Sequence, residues 1–224
     1  MIISTSPQNP TDVVAEVPGL TPAEVISTIE RARTAQVNWA SSAMARSNAL
    51  RESANIFRKH TNELADLIVR EVGKPIVEAK GEVGRAIAIL DYYAQAALDP
   101  FGENIPPTTP GLLITQRVPH GVAGLITPWN FPVAIPIWKA APALAAGNAV
   151  VLKPSQNALA CAFKIEELLK ATLPENIFLV APGDRHSATA LIENADVISF
   201  TGSVAVGQSV VAVAAKAGKP VQAE

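Results

Sequence analysis

The sequence has 224 residues, which suits one large domain or one and a half ordinary ones. Hydrophobic residues make up 49% and charged residues 17%, as in a globular chain and unlike a disordered one. The net charge is −2 and there is no basic run, so nothing in the sequence favours binding to nucleic acid or to an anionic membrane surface.

The cysteine and histidine content argues against two further classes of protein. A single cysteine cannot form an internal disulfide or a Cys-based zinc site, and the three histidines show no metal-ligand spacing, so we predict no metal centre. The most apolar run is broken by prolines and a lysine, and the N-terminus lacks the pattern of a signal peptide. These features predict a protein of the reducing cytoplasm that does not enter a membrane.

The first 98 residues carry helical patterns. Residues 21–24 read Thr-Pro-Ala-Glu, a capping box that begins the first helix. A second helix is predicted over about 43–72, where Gly73 stops it, and a third over 76–98. Apolar residues recur at helical spacing in all three, which indicates packing rather than binding.

The pattern changes after this helical segment. A loop rich in Pro and Gly is predicted over 99–111 and a strand over 112–118 (LLITQRV). From Gly121 onward, apolar strands alternate with helices, which predicts an α/β fold: a Rossmann-like parallel sheet of about five strands with helices on both faces. The predicted organisation is an N-terminal arm with helices (1–110), a strand projecting from the sheet (111–120) and the Rossmann-like core (121–224).

Ligands of such sheets bind at the carboxyl ends of the strands, so the residues there are the candidates for chemistry. The strand GLIT is followed by the loop PWNFP (128–132), which two prolines stiffen. The amide of Asn130 is a candidate preorganised donor for a developing oxyanion. The alternative is a turn in which Asn130 caps the following helix.

Two further strand ends carry polar residues. Lys153 ends the strand AVVLK and could reach a phosphate or a ribose, or could simply be solvated. The segment TGSVAVG (201–207) opens a helix, where Gly202 allows a ligand to approach and the first-turn N–H groups face an anion. The alternative is an ordinary helix cap, and neither the dinucleotide GxGxxG spacing nor the P-loop spacing is present.

The order of these motifs is more specific than each motif alone. GLITPWNFP, VVLKPS, SFTGSxxxG and KPVQAE, in this order, resemble the aldehyde dehydrogenase superfamily. The upstream segment REVGKPIVEAKGEV is similar to the helical entry into that family's cofactor domain, and the resemblance covers essentially the whole chain. The stretch PVAIPIWKAAPAL is similar to α-ketoglutaric semialdehyde dehydrogenases.

The resemblance implies an oxidoreductase that converts an aldehyde to a carboxylic acid. A cysteine thiolate attacks the aldehyde, the thiohemiacetal gives hydride to NAD(P)+, and water hydrolyses the thioester. Asn130 matches the oxyanion donor and Glu224 the general base. The resemblance also implies a set of cofactor-binding residues: Ile126, Thr127, Pro128, Trp129, Lys153, Ser155, Gln156, Gly183, Gly202, Ser203 and Gly207.

The resemblance implies as well that the catalytic domain and its cysteine lie outside these 224 residues. Cys161 sits on a packing face of the helix after the KPSQ turn and is interpreted as structural. Two hypotheses follow. The chain is the cofactor-binding half of an aldehyde dehydrogenase that forms a homodimer or homotetramer, with the 112–118 strand as an oligomerisation element, or it is a non-catalytic nucleotide-binding or oligomer-forming fragment.

The choice between NAD and NADP rests on a departure from the family's usual pattern. NAD-preferring members often have Glu where this chain has Gln156, and a neutral amide does not repel a 2′-phosphate. We therefore expect NADP to be accepted at least comparably to NAD. The turn PGDRHSA, which holds Gly183, could bring Arg185 or His186 toward that phosphate, although a solvated turn is the alternative.

Overall fold

The computed structural model describes residues 1–99 and 102–224, and the chain begins with an antiparallel hairpin rather than a helix. Its strands are β1 (Ile2–Ser6) and β2 (Asn9–Val17), paired from Ile2 with Val17 to Ser6 with Asn9. The interpretation of the first 98 residues as helical therefore missed this hairpin. The strand β1 buries Ser4 and Ser6 and leaves Ile3 exposed, so its apolar residues do not mark its buried face.

Four helices follow where three were predicted: α1 (Pro22–Ala40), α2 (Ala43–Lys59), α3 (Thr61–Val72) and α4 (Ile76–Ala96). The capping box at the start of α1 is confirmed. The expected single helix over 43–72 is broken at His60, and the Thr61 hydroxyl there donates to the carbonyls of Phe57 and Arg58 at the end of α2. The stop at Gly73 is confirmed, with the left-handed φ of +79° that glycine tolerates.

The predicted strand over 112–118 is much shorter than expected. It is reduced to β4 (Leu113–Ile114), which pairs antiparallel with β3 (Asn104–Ile105) inside the predicted loop. This small hairpin lies outside the parallel sheet, as expected, and Leu112 and Ile114 are exposed. Residues 100–101 of the predicted loop lie outside the described residues.

The remaining elements alternate strand and helix, which confirms the predicted α/β fold. In chain order they are β5 (Val122–Ile126), α5 (Ala134–Ala145), β6 (Ala149–Lys153), α6 (Leu159–Lys170), β7 (Phe178–Val180), α7 (Arg185–Asn194), β8 (Val197–Phe200), α8 (Val204–Lys216) and β9 (Val221–Ala223). The five strands form one parallel sheet in the order β7-β6-β5-β8-β9. Among the described residues, no helix combines the length and apolarity needed to cross a membrane.

Helices cover both faces of this sheet. On one face α5 and α6 contact the N-terminal helices α2, α3 and α4, and on the other α7 contacts α1 and α8. Gly124 in β5 lets α7 approach closely, because a methyl group there would lie 3.0–3.1 Å from Ile198, Ala195 and Leu191. The strand order reverses between β5 and β8, which makes the carboxyl ends of those strands the expected place for a ligand.

Candidate functional site

The sheet brings the predicted strand-end residues together. Ile126 at the end of β5 pairs with Lys153 at the end of β6. On the other side, the amide of Thr201 donates to the Ile126 carbonyl at 3.1 Å, and the amide of Glu224 donates to the Phe200 carbonyl at 3.1 Å. Residues from four parallel strands therefore lie along one edge of the sheet.

A cleft of about 510 Å³ opens at this edge between α7 and α8. Four predicted cofactor-binding residues line it: Ile126, Lys153, Gln156 and Gly183. Arg185 also lines the cleft, whereas His186 faces a separate depression beside the N-terminus of the chain. Of the two candidates in the PGDRHSA turn, only Arg185 is therefore placed where a ligand of this cleft would meet it.

The helix α8 begins at the mouth of the same cleft. Ser203 is its N-cap residue but makes no side-chain cap hydrogen bond, so the ordinary-cap alternative is not what the structure has. Ala205 and Val206 of the first turn line the cleft. First-turn N–H groups without a cap are ready donors for an anion.

Packing against Phe200 also requires glycine at positions 202 and 207. A methyl group on Gly202 would lie 2.6 Å from Cζ of Phe200, and one on Gly207 would lie 3.2 Å from Cε1 of the same ring. These glycines therefore let α8 start directly over the Phe200 ring at the end of β8.

Two polar side chains, those of Lys153 and Thr127, lie at the carboxyl ends of β6 and β5. Burial lowers the pKa of Lys153, and the carboxylate of Asp184 opposes that effect. The hydroxyl of Thr127 is buried and has no hydrogen-bond partner within residues 1–99 and 102–224. By contrast, the Ser155 hydroxyl accepts from the amide of Asn157 and so caps the short turn that follows β6.

The Asn130 side chain is exposed, and no hydrogen bond joins it to another described residue. It does not cap α5, whose N-cap residue Val133 has no side-chain cap. The amides of Val133 and Ala134 donate instead to Oε1 of Glu82, at 2.9 and 3.0 Å. The alternative in which Asn130 caps the next helix was therefore wrong, and the amide of Asn130 is available to a ligand.

Glu224 lies at the end of β9, beside β8. Its carboxylate accepts from the Thr201 hydroxyl at 3.2 Å and from the Gln222 amide at 2.8 Å. The ammonium of Lys139, on α5, lies 3.5 Å from Glu224 Oε2. Burial lowers the pKa of Lys139, and Glu224 opposes that shift.

Sequence reasoning missed Lys139. It is buried, and its ammonium donates to the Ser199 hydroxyl at 2.9 Å. Lys139 and Glu224 line a second cavity, of about 420 Å³, on the α5 face of the sheet. The signal available in the sequence was a single charged residue in the apolar run VAIPIWKAAPAL, which is an unusual place for an ammonium group unless it has a partner.

The structure supports the structural interpretation of Cys161. The residue is fully buried on α6, and burial together with the Glu71 carboxylate raises its pKa well above the ordinary thiol value. Such a thiol is a poor nucleophile because the reactive form is the thiolate. Within the described residues, no group of three or more His, Cys, Asp or Glu is arranged to hold a metal ion.

The chain belongs to the aldehyde dehydrogenase family, whose sequence pattern matches residues 2–224. It is 40% identical to an alpha-ketoglutarate semialdehyde dehydrogenase of Haloferax volcanii over 98% of this chain and 47% of that protein. It is 42% identical to a betaine aldehyde dehydrogenase of Rhizobium etli over 95% of this chain and 45% of that protein. The chain therefore spans about half the length of the curated relatives it matches.

Solved structures agree with this assignment. The crystal structure of PnpE in complex with nicotinamide adenine dinucleotide superposes with a TM-score of 0.95 at 33% identity, over 100% of this chain and 47% of that chain. An NADP-dependent enzyme of E. coli gives a TM-score of 0.95 at 34% identity, over the same shares. Aldehyde dehydrogenases use NAD(P), and these two neighbours differ in the cofactor that they are described with.

Proposed function

We propose that this chain is the cofactor-binding half of an NAD(P)-dependent aldehyde dehydrogenase, which oxidises an aldehyde to a carboxylic acid. One observation carries the proposal. Ile126, Lys153 and Gln156 line a single cleft with the uncapped start of α8, and the Asn130 loop leaves the same strand end as Ile126. Family membership supports the reaction class.

The residues of the cleft fit a dinucleotide. The uncapped first turn of α8, after Gly202 and Ser203, is suited to bind the pyrophosphate. Lys153 and Gln156 would hold the adenine-side ribose, because both reach the cleft from the end of β6. Thr127, Pro128 and Trp129 would line the path toward the substrate, where the Thr127 hydroxyl lacks a protein partner among the described residues. When bound, NAD(P)+ supplies the hydride acceptor.

The residues of this chain would act on the aldehyde from two sides. The amide of Asn130 would donate to the oxygen that becomes negatively charged when a cysteine thiolate attacks the carbonyl carbon. Glu224 would accept a proton from the attacking thiol or water, with the Lys139 ammonium 3.5 Å from its carboxylate. Cys161 cannot be that nucleophile, because it is fully buried. The nucleophile would come from a part of the protein outside these 224 residues.

Relatives named for a semialdehyde and for betaine aldehyde match at similar identity. The proposed semialdehyde is supported by two relatives named for a semialdehyde and by the stretch PVAIPIWKAAPAL. A homodimer or homotetramer is supported by the exposed apolar residues of the β3–β4 hairpin, among them Leu113 and Ile114. A cytoplasmic setting stays a prediction.

The test is aldehyde-dependent formation of reduced cofactor by the complete protein that contains this chain. We expect turnover of at least one aldehyde with NAD or NADP. A complete protein that binds a nucleotide but oxidises no aldehyde in a panel of semialdehydes and amino aldehydes would favour the alternative, a non-catalytic nucleotide-binding or oligomer-forming chain.

A further inference from the structure

The helix α5, which follows the Asn130 loop, has no cap of its own. Its N-cap residue Val133 cannot supply a side-chain acceptor. The acceptor comes instead from α4, where Oε1 of Glu82 receives the N–H groups of Val133 and Ala134 at 2.9 and 3.0 Å. The Glu82 side chain is completely buried. A carboxylate from a distant helix therefore fixes the first turn of α5, where the helix dipole also favours negative charge.

Lys74 completes this contact. Its ammonium lies 2.5 Å from the second oxygen of Glu82 and 3.5 Å from the centre of the Phe131 ring. One cation therefore neutralises the buried carboxylate and at the same time holds the aromatic residue next to Asn130. Lys74 is itself fixed in place, since it stands between the left-handed Gly73 and Pro75, the N-cap residue of α4.

We propose that Lys74 and Glu82 are positioning residues for Asn130, an inference that rests on the proposed role of Asn130 as the oxyanion donor. Lys74 holds Phe131 and Glu82 holds Val133 and Ala134, so the loop is fixed from one side immediately after Asn130. The Asn130 side chain itself makes no hydrogen bond within the described residues. Its alignment therefore depends on the backbone that these two residues hold.

This arrangement matters for rate because an oxyanion donor stabilises the transition state only if it is aligned before charge develops. A displacement of about 1 Å can cost about 10²-fold in rate. A cap for α5 alone could be supplied by Ser, Thr or Asp at position 133 without burying a charged pair. The buried pair adds a contact that such a cap would not make, namely the one between Lys74 and the ring of Phe131.

The chain offers a matched control for the test. Glu71 on α3 is also buried, and its carboxylate accepts from the amides of Ala160 and Cys161 at 2.8 Å each, at the start of α6. Glu71→Gln therefore makes the same chemical change at another helix start, and the hydrogen bonds of Glu71 within the described residues go to α6 rather than to the Asn130 loop. The double variant Lys74→Met/Glu82→Met removes both the ion pair and the acceptor of the Val133 and Ala134 amides without leaving a buried charge unpaired, so it remains available where a single variant fails to fold.

The experiment is a double-mutant cycle in the complete protein, with hydrogen exchange of the peptide that spans 128–138. We expect Glu82→Gln to speed exchange of that peptide and to lower kcat at least about tenfold, with little change in the KM for cofactor. We expect Glu71→Gln to speed exchange at the start of α6 and to leave kcat within about threefold. In an Asn130→Ala background, Glu82→Gln should lower kcat less than about threefold further, because the group it positions is gone.

The outcomes separate this inference from the proposed function. A nearly normal kcat for Asn130→Ala would overturn the oxyanion role itself. A large loss for Asn130→Ala combined with a normal kcat for Glu82→Gln and for the double variant would overturn the positioning role alone. The positioning role would also be overturned if the kcat losses of Asn130→Ala and Glu82→Gln multiplied in full in the combined variant. Unchanged hydrogen exchange over 128–138 would overturn it as well, and this measurement reports on the contact even in a protein without turnover.

Discussion

The ammonium of Lys139 lies 3.5 Å from Oε2 of Glu224 and joins α5 to the end of β9. The Lys139 side chain is 5% exposed and that of Glu224 is 57% exposed. The ammonium of Lys139 is thus held in place by burial and by its hydrogen bond to the Ser199 hydroxyl. The carboxylate of Glu224 remains accessible. The carboxylate is therefore open to a ligand, while its counter-charge is held in place by the fold.

Lys139→Met should lower the activity of the complete protein and leave its stability at neutral pH almost unchanged. Turnover of the complete protein should fall at least about tenfold, a part of the 10²–10⁴ that a positioned base contributes. Stability at neutral pH should change little, because the variant no longer buries a charge. Kinetics and thermal unfolding on the same samples check this, with the exposed Lys216→Met as control. An unaltered kcat would remove Lys139 from the proposed site.

The same lysine gives a prediction for stability against pH. Burial lowers the Lys139 pKa, so between that value and the ordinary lysine value the unfolded chain binds more protons than the folded one. The free energy of unfolding should therefore rise as pH increases through this alkaline window. Lys153, whose pKa is also lowered, contributes a similar rise. Denaturant titrations at several pH values should give a shallower rise for Lys139→Met than for the wild type, and equal slopes would contradict the assignment.

Much of the fold could be predicted because the parallel strands are continuous apolar runs, such as GVAGLI and AVVLK, separated by helical patterns. The hairpin β1–β2 could not, because the residues that β1 buries are Ser4 and Ser6. The break at His60 also has no Gly or Pro to mark it. Local pattern does not show which small polar residue packs and which is solvated.

The strand-end residues of the candidate site could be predicted from the sequence, but the contacts that support them could not. Lys153, Gln156 and the α8 start follow strands, so the topology rule places them at one edge. The contacts of Glu82 with Val133, and of Lys139 with Glu224, join residues that are far apart in sequence. The sequence around each residue does not indicate which distant residue it contacts. The residues that hold the site in place were therefore found only in the structure.

Asn130→Ala in the complete protein should lower kcat by about 10²–10³, the usual cost of removing one oxyanion donor. Cofactor affinity should change little, because Asn130 does not line the α7–α8 cleft. Steady-state kinetics and cofactor titration check the two parts separately, with the exposed Asn38→Ala as control. Turnover near that of the wild type would leave Asn130 without a catalytic role.

The thiol of Cys161 should not be needed for chemistry. Residues 1–224 alone should form no reduced cofactor from any aldehyde, because this thiol is buried and its pKa is raised. In the complete protein, Cys161→Ser should leave turnover unchanged and change the free energy of unfolding by only about 1 kcal/mol, since the serine hydroxyl can donate to the Glu71 carboxylate that already faces the thiol. Activity assays and denaturant unfolding check both, and any aldehyde oxidation by 1–224 that Cys161→Ser abolishes would overturn the interpretation.

Gln156 should set the response to the cofactor's 2′ group. It lines the cleft with Lys153, Arg185 and Asp184, so a 2′-phosphate there would meet two cations, a neutral amide and one carboxylate, which already accepts from the amides of His186 and Ser187. A carboxylate at this position would accept from the 2′-hydroxyl of NAD and repel the phosphate of NADP. We expect the complete protein to accept NADP at least comparably to NAD, and Gln156→Glu to raise the NAD-over-NADP ratio of kcat/KM about tenfold or more, chiefly by weakening NADP.

Gln208→Glu makes the same charge change on α8 outside the cleft and should leave the ratio unmoved. A wild type that is already strictly NAD-dependent, or a ratio that Gln156→Glu does not alter, would show that position 156 does not contact the 2′ group.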